Sequence, residues 1–333
     1  MPRMASIGLV LGAGGLAGHA YHVGVLGALE AALDWDARDA TVIVGTSAGS
    51  GVGSLLRAGL SVADLRARID RRPMSPNART LAEGMPADQL LPPYEPRMGR
   101  PASPSLLLAD LRRPWRFRLG HVIAAAAPAG RASTDAIRAR HDHLHRGARW
   151  PDQPLWINAL RLRDGAHAVF GRDPSPEPTV GAAVAASCAI PGYFAPVEIE
   201  GERYVDGGAH SPTNAQLLAR LGLDLVVVSS PMSARPGPGM LGATGISGRL
   251  LGRSYHHLRL TQELQAYRSS ATRLKVFEPT PDDQRAMGLN PMEAGLMAAI
   301  AASAEASASA ALTRDKHQLL TVSASPVSLS VKS

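Results

Sequence analysis

A three-layer α/β/α fold around a mainly parallel sheet is what this sequence predicts, on two observations. Short β-branched or apolar runs alternate with longer segments whose apolar residues recur at helical spacing, the order that builds βαβ units. Of 333 residues, 45% are hydrophobic but only 4% aromatic, and 33 are glycine, a composition suited to Ala, Val and Leu packing joined by tight turns.

Ile7 to Leu11 is the first strand, closed by Gly12. After a glycine-rich loop, Val25, Leu26, Leu29 and Leu33 recur at helical spacing and predict a helix over Tyr21 to Leu33. Thr41 to Val44 is β-branched and predicts the second strand; Gly45-Thr46-Ser47-Ala48-Gly49 then turns the chain sharply into a helix reaching Ala58. Ser61 with Asp64 three residues on is a capping-box signature for a helix to Arg72. Eight prolines between Pro73 and Pro104 predict a long loop or short pieces lying over the core. Leu155 to Arg163 and Ala166 to Arg172 flank Asp164-Gly165, a pair that fits a tight hairpin turn. Val180 to Ala189 predicts a helix, ended by Pro191-Gly192, and Val197 to Ile199 and Arg203 to Val205 predict two strands around Gly201. Leu225 to Val228 is a buried-type strand, Gly248 to Ala271 a long helix, Leu274 to Phe277 the last strand and Pro291 to Leu312 an Ala-rich helix. No internal repeat or composition shift divides the chain, so one domain is expected over 5–315, with 73–150 an inserted cap and 316–333 a tail.

The net charge of +7 and pI near 10.0 are local in origin. Between Leu111 and Trp150 stand nine arginines against two aspartates, an excess of seven that equals the charge of the whole chain. With Leu106, Leu107, Leu108, Leu111, Trp115, Phe117 and Leu119 interleaved, this stretch reads either as a cap packed over the core or as a surface for anionic lipid. No recognised nucleic-acid module accompanies it, and nucleic acid is not an expected partner. Cys188, the single cysteine, makes no intramolecular disulfide and reads as packing. There is no signal-peptide pattern at the start and no run of about 18 apolar residues, so a cytoplasmic protein that can touch a membrane peripherally is expected. His141, His143 and His145 do not share one helical face and read as an exposed polar helix rather than a metal site.

The strongest chemical signal is Gly45 to Gly49, which matches the nucleophile elbow G-x-S-x-G in its strand-to-helix context. Small flanking residues let such a turn be tight, and Ser47 then projects at a helix N-terminus that favours developing negative charge. The loop Gly12-Ala13-Gly14-Gly15-Leu16-Ala17-Gly18 has backbone N–H groups that can hold an oxyanion if its strand lies parallel to the next. Gly12, Gly14 and Ala17 also satisfy a dinucleotide fingerprint, but the second strand runs into the serine elbow instead of the acidic residue that fingerprint wants. Asp206-Gly207-Gly208 alone is first of all a turn; its weight comes from combination with the other two blocks.

These blocks, in this order, resemble the patatin-like phospholipase family. The resemblance spans roughly residues 7 to 230 and includes Ser187-Cys188-Ala189-Ile190-Pro191-Gly192-Tyr193-Phe194-Ala195-Pro196, leading into Asp206-Gly207-Gly208. It implies a catalytic dyad of Ser47 and Asp206, an oxyanion hole from the backbone N–H groups of Gly14 and Gly15, and an elbow bounded by Gly45 and Gly49. It also implies hydrolysis of carboxylic esters, with acyl lipid as substrate class and neither metal nor organic cofactor. Two positions depart from the family's pattern: Ala17 where many members carry Arg or Lys, and Ala13 where glycine is frequent. An ordinary serine-acid-histidine triad is the rival arrangement, since His210, His256, His257 and His317 all follow Asp206, but Ser47 stands in the second βα unit, early for such an enzyme. Thioesterase or small-ester esterase activity is the neighbouring reading, and a non-catalytic lipid-binding protein the reading from another class. Oligomeric state is not legible.

Overall fold

The computed structural model describes residues 5–86, 99–112, 118–146, 148–235 and 248–314. The expected tail over 316–333, with His317, and Arg113, Trp115, Arg116 and Phe117 of the basic stretch lie outside the described residues.

Eight strands form one sheet: β1 Ile7–Leu11, β2 Val42–Thr46, β3 Leu155–Arg161, β4 His167–Phe170, β5 Val197–Ile199, β6 Glu202–Asp206, β7 Leu225–Ser229 and β8 Arg273–Phe277. Their order is β5-β6-β3-β2-β1-β7-β8, with β4 paired to β3. From β3 through β8 every neighbouring pair is parallel; the pairs β3–β4, β3–β6 and β5–β6 are antiparallel. The helices are α1 Gly15–Leu33, α2 Ala48–Arg57, α3 Val62–Ile69, α4 Pro76–Ala82, α5 Pro104–Arg112, α6 Leu119–Ala126, α7 Asp135–Leu144, α8 Val180–Ser187, α9 Gly248–Leu264, α10 Pro281–Ala286 and α11 Met297–Arg314.

Side chains alternate across a strand, so the apolar runs feed two cores. Leu9, Leu11, Ile43, Leu155, Ile157 and Val227 face the layer of α1, α2, α8 and α11, while Val10, Val42, Val44, Val226 and Val228 face Leu260 of α9 and Tyr267 beyond it. Each such fully buried Leu, Ile or Val contributes about 1.5–3 kcal/mol over an exposed one. Two faces covered by helices make the three layers that the alternating pattern predicts.

Several boundaries differ from expectation, and at the first helix the reason is that small residues pack it closely instead of ending it. The first helix begins at Gly15 rather than Tyr21. A Cβ at Gly24 would overlap the Ala301 carbonyl, so this glycine lets α1 lie against α11. Residues Ala294–Arg314 are long and apolar enough by composition to cross a bilayer. In the fold, Ile300, Ala301, Ala304, Ala308 and Leu312 are buried and belong to the core that includes α1. The last helix is α-helical only from Met297, after a 3-10 turn at Ala294–Leu296, and the long helix from Gly248 ends at Leu264. The capping box expected at Ser61 and Asp64 is present, closing α3 at its start, although the helix stops at Ile69.

Candidate active site

The second strand runs two residues further than its β-branched stretch, to Thr46, and Ser47 follows with φ 52° and ψ −118°. A non-glycine residue is rarely found there, and the strain costs about 1–3 kcal/mol unless neighbours hold it. They do. The Ser47 N–H donates to the Ser187 hydroxyl at 2.9 Å, and the Ser47 carbonyl accepts from the Ser50 N–H at 2.9 Å and the Ser50 hydroxyl at 2.7 Å. Close approach accounts for the elbow glycines. A Cβ on Gly49 would overlap the Leu11 carbonyl oxygen, and one on Gly45 would meet Ser50 Cα at 2.5 Å.

Sheet register brings Asp206 to this serine. Along β3, residues Ile157 to Leu160 pair with β4, which takes one edge of the strand. The opposite edge is shared: β2 occupies its first half, ending with Thr46 opposite Asn158, and β6 its second half, running the other way and ending with Asp206 opposite Ala159. The C-terminal ends of β2 and β6 therefore meet head to head at the Asn158–Ala159 junction. The Ser47 side chain stands beside the Asp206 carboxylate and favours its charged form, and that carboxylate accepts the Gly208 N–H at 2.7 Å. Asp206 is 5% exposed, and burial pushes its carboxyl up to about 6 against the opposing pull of Ser47 and the Gly208 N–H.

Asn158 and Ser187 join these parts, and neither was singled out on sequence grounds. The Asn158 side-chain amide donates to the Gly45 carbonyl at 3.0 Å and to Thr46 Oγ1 at 3.1 Å, while the Asn158 backbone carbonyl accepts the Ser187 hydroxyl at 2.7 Å. The signal for Asn158 was a polar residue inside the apolar run Leu155 to Leu160; for Ser187, its place at the head of the block leading to Asp206.

On the other side of Ser47, the Gly-rich loop is short, because α1 already starts at Gly15. Its amides divide into two groups. Gly12 N–H donates to Ser229 O at 3.0 Å, Ala13 N–H to Pro212 O at 2.8 Å, Ala17 N–H to Pro291 O at 2.9 Å and Gly18 N–H to Gly14 O at 2.8 Å. Those of Gly14, Gly15 and Leu16, at the helix start, have no acceptor among the described residues. Gly15 has φ +61° and lies under Pro291 and Met292, a position that tolerates no side chain. The side chain of Ala17, at the position that departs from the family's basic residue, is buried. A guanidinium reaches the same cavity from α9 instead, that of Arg253.

Ser47, Asp206, Gly14 and Gly15 line one cavity of about 510 Å³, whose walls include Ile123, Ile190, Met232, Met287, Leu289 and Met292. A second hollow of about 190 Å³ reaches Ser47 beside Cys188, His19 and Arg140. Cys188, expected only to pack, thus stands at the site, its sulfur 4.0 Å from Ser50 Oγ; burial first, then the Asp206 charge, pushes its thiol up to about 12, so it stays protonated.

Two of the histidines that follow Asp206 are engaged elsewhere: His210 stacks on His167 at 4.1 Å and accepts from Arg118, and His257 bonds Glu278 at 2.8 Å. His256, on α9, lines the same cavity as Ser47 and Asp206, and its buried Nδ1 has no hydrogen-bond partner among the described residues. The exposed-helix reading of His141, His143 and His145 needs correction. Four residues apart, His141 and His145 share one face, are buried, and both bond Ser54 Oγ, at 2.8 and 3.0 Å; only His143 faces outward, to Glu83 O. Among the described residues no group of three or more His, Cys, Asp or Glu is placed to hold a metal ion.

A family model described as patatin-like phospholipase matches residues 9–219. No curated protein matches the chain significantly. Among solved structures, VipD from Legionella pneumophila is similar over 94% of this chain and 68% of its own, with 14% identity and a TM-score of 0.44. Human GIVD cytosolic phospholipase A2, in complex with methyl gamma-linolenyl fluorophosphonate, is similar over 96% of this chain and 60% of its own, with 12% identity and a TM-score of 0.35.

Proposed function

We propose, because this chain belongs to the patatin-like phospholipase family, that it is a serine acyl hydrolase in which Ser47 is the nucleophile and Asp206 its only general base. The observation that carries the reading is the Ser47 side chain standing beside a buried carboxylate, both lining one largely apolar cavity. As Ser47 Oγ attacks the ester carbonyl, its proton passes to Asp206, and the N–H groups of Gly14 and Gly15 receive the carbonyl oxygen as it becomes negative. Collapse of the tetrahedral adduct breaks the bond to the alcohol, which leaves with the proton from Asp206. Water then gives a proton to the same carboxylate as it attacks the acyl-serine, and the proton returns to Ser47 as the acid departs. A base whose pKa sits near 6 is better matched to this traffic at neutral pH than an ordinary aspartate.

The cavity's volume is that of a ligand pocket, and its apolar wall with three methionines suits an acyl chain. Of segment 73–150, the described residues Gly120 and Ile123 stand in the cavity wall, the place a cap would take. Ile123 (53% exposed) and Leu289 (83%) belong both to the cavity wall and to the outer surface, with Leu119 (45%) one turn before Ile123. They form an apolar rim through which the chain meets a lipid surface, the net positive charge favouring an anionic one.

The test is reaction of the purified protein with a fluorophosphonate and location of the adduct by mass spectrometry. An adduct on Ser47, greatly slowed in Asp206→Asn, is expected. Folded protein that forms none sinks the hydrolase reading in favour of a lipid-binding one.

A further inference from the structure

His22 is fully buried on α1 among Tyr21, Val23, Val25 and Leu26, where a polar ring is out of place unless both nitrogens are used. Both are. Nε2 lies 2.8 Å from the Gly12 carbonyl oxygen and Nδ1 lies 2.8 Å from Ser229 Oγ. A carbonyl only accepts, so Nε2 carries the hydrogen, and Nδ1 accepts from the Ser229 hydroxyl. The same Gly12 carbonyl accepts the Gly49 N–H from the serine elbow at 3.2 Å, and the Gly12 N–H donates to Ser229 O at 3.0 Å. One residue, Gly12, thus ties β7, α1 and the elbow together through its N–H and its carbonyl, two residues before the first unpaired amide at Gly14.

We infer that His22 is a positioning residue for acyl transfer, holding the Gly12 carbonyl so that the Gly14 and Gly15 amides stand at the right distance from Ser47. The inference rests on the hydrolase reading. A leucine here would leave the Gly12 carbonyl on the longer Gly49 bond alone, and the peptide leading to Gly14 would be held less firmly against the serine elbow. Burial, the largest influence, lowers the His22 pKa to about 3, so the clamp stays neutral at every pH where the fold is useful.

The test compares steady-state hydrolysis of an oxygen ester and its C=S analogue, of equal chain length, by the full chain and by His22→Phe, His22→Gln and Ser229→Ala. A misplaced oxyanion hole penalises the C=O substrate selectively, whereas a loss of folded protein lowers both rates alike. In His22→Phe, kcat for the oxygen ester is expected to fall about 10- to 100-fold with KM within about twofold, and the oxygen-to-sulfur rate ratio to fall with it. His22→Gln, whose amide reaches the same carbonyl, recovers most of the loss. An unchanged kcat in His22→Phe, or equal losses on both substrates, overturns the inference. Should His22→Phe not fold, Ser229→Ala decides: it removes the hydroxyl behind the ring, and a rate ratio unchanged from wild type overturns the inference while a lowered one supports it. Wild-type protein that hydrolyses neither ester and takes no adduct on Ser47 overturns the hydrolase reading and this inference together.

Discussion

Replacing Asp206 by Asn should destroy activity and stabilise the fold at the same time, by an amount that depends on pH. Burial raises the Asp206 carboxyl from 3.8 to about 6 in the folded protein. A raised folded-state pKa means the native state binds the proton more tightly than the unfolded chain, so stability is full below the unfolded value and is lost as pH rises through the folded one. At about 1.4 kcal/mol per pKa unit, ionised Asp206 costs the fold on the order of 3 kcal/mol at about pH 8. Asparagine imitates the protonated acid and is spared that cost, while it cannot accept the Ser47 proton. Urea unfolding of the two proteins should therefore show Asp206→Asn ahead by up to about 3 kcal/mol at pH 8, shrinking to near zero by about pH 4. On the kinetic side, wild-type kcat/KM should fall about tenfold per pH unit below about 6, and the variant should lose about 10²–10⁴ of kcat. A stability difference that ignores pH, or full activity persisting at about pH 4.5, would refute the assignment of a buried, proton-accepting carboxylate.

Three further outcomes follow from contacts at and around the site. Gly49→Ala drives a methyl into the Leu11 carbonyl and should cost about 3 kcal/mol or more, whereas Gly18→Ala, whose methyl would sit 3.4 Å from Ala48 Cβ, should stay within about 1 kcal/mol; the two denaturation midpoints are the comparison. Ser187→Ala strips the acceptor from the strained Ser47 N–H, and should cost about 1–3 kcal/mol of stability and lower kcat while KM holds, measured with one soluble ester. Ile123→Glu with Leu289→Glu should weaken flotation with phosphatidylglycerol vesicles by at least about tenfold, since each side chain forfeits about 1.5–3 kcal/mol of burial; unchanged flotation would discard the lipid rim.

What the sequence disclosed was local chemistry. Runs such as Leu225 to Val228 announce strands because β-branched side chains fit a pleat buried on both faces, and the elbow announces itself because only small residues permit so sharp a turn. Glycine was the deceptive residue. Gly14, Gly15 and Gly18 suggested an extended loop, yet the helix starts at Gly15; a Cβ on Gly14 would come within 2.7 Å of Gly18 Cα, so these glycines serve close packing as much as freedom. The buried histidines were hidden for a different reason. His141 and His145 are four apart and so share a face, but nothing local says that this face meets Ser54 eighty-seven residues earlier in the chain.

The meeting of Ser47 with Asp206 is the part no window of sequence contains, because it is a property of register on a third strand. Sharing one edge of β3, β2 and β6 must end within a residue of each other, Thr46 opposite Asn158 and Asp206 opposite Ala159. A slip of one residue in β6 would turn the carboxylate to the other face of the sheet, away from the serine. That sensitivity gives Asn158 its significance. Its backbone lies at the junction, its side-chain amide fixes the end of β2 through Gly45 and Thr46, and its backbone carbonyl takes the Ser187 hydroxyl that holds the Ser47 N–H. Gly207 packs so tightly on the Asn158 carbonyl that any side chain there would overlap it, which pins the end of β6 to the same residue. Backbone pairing around one asparagine thus brings together Ser47 and Asp206, two residues that are 159 apart in sequence.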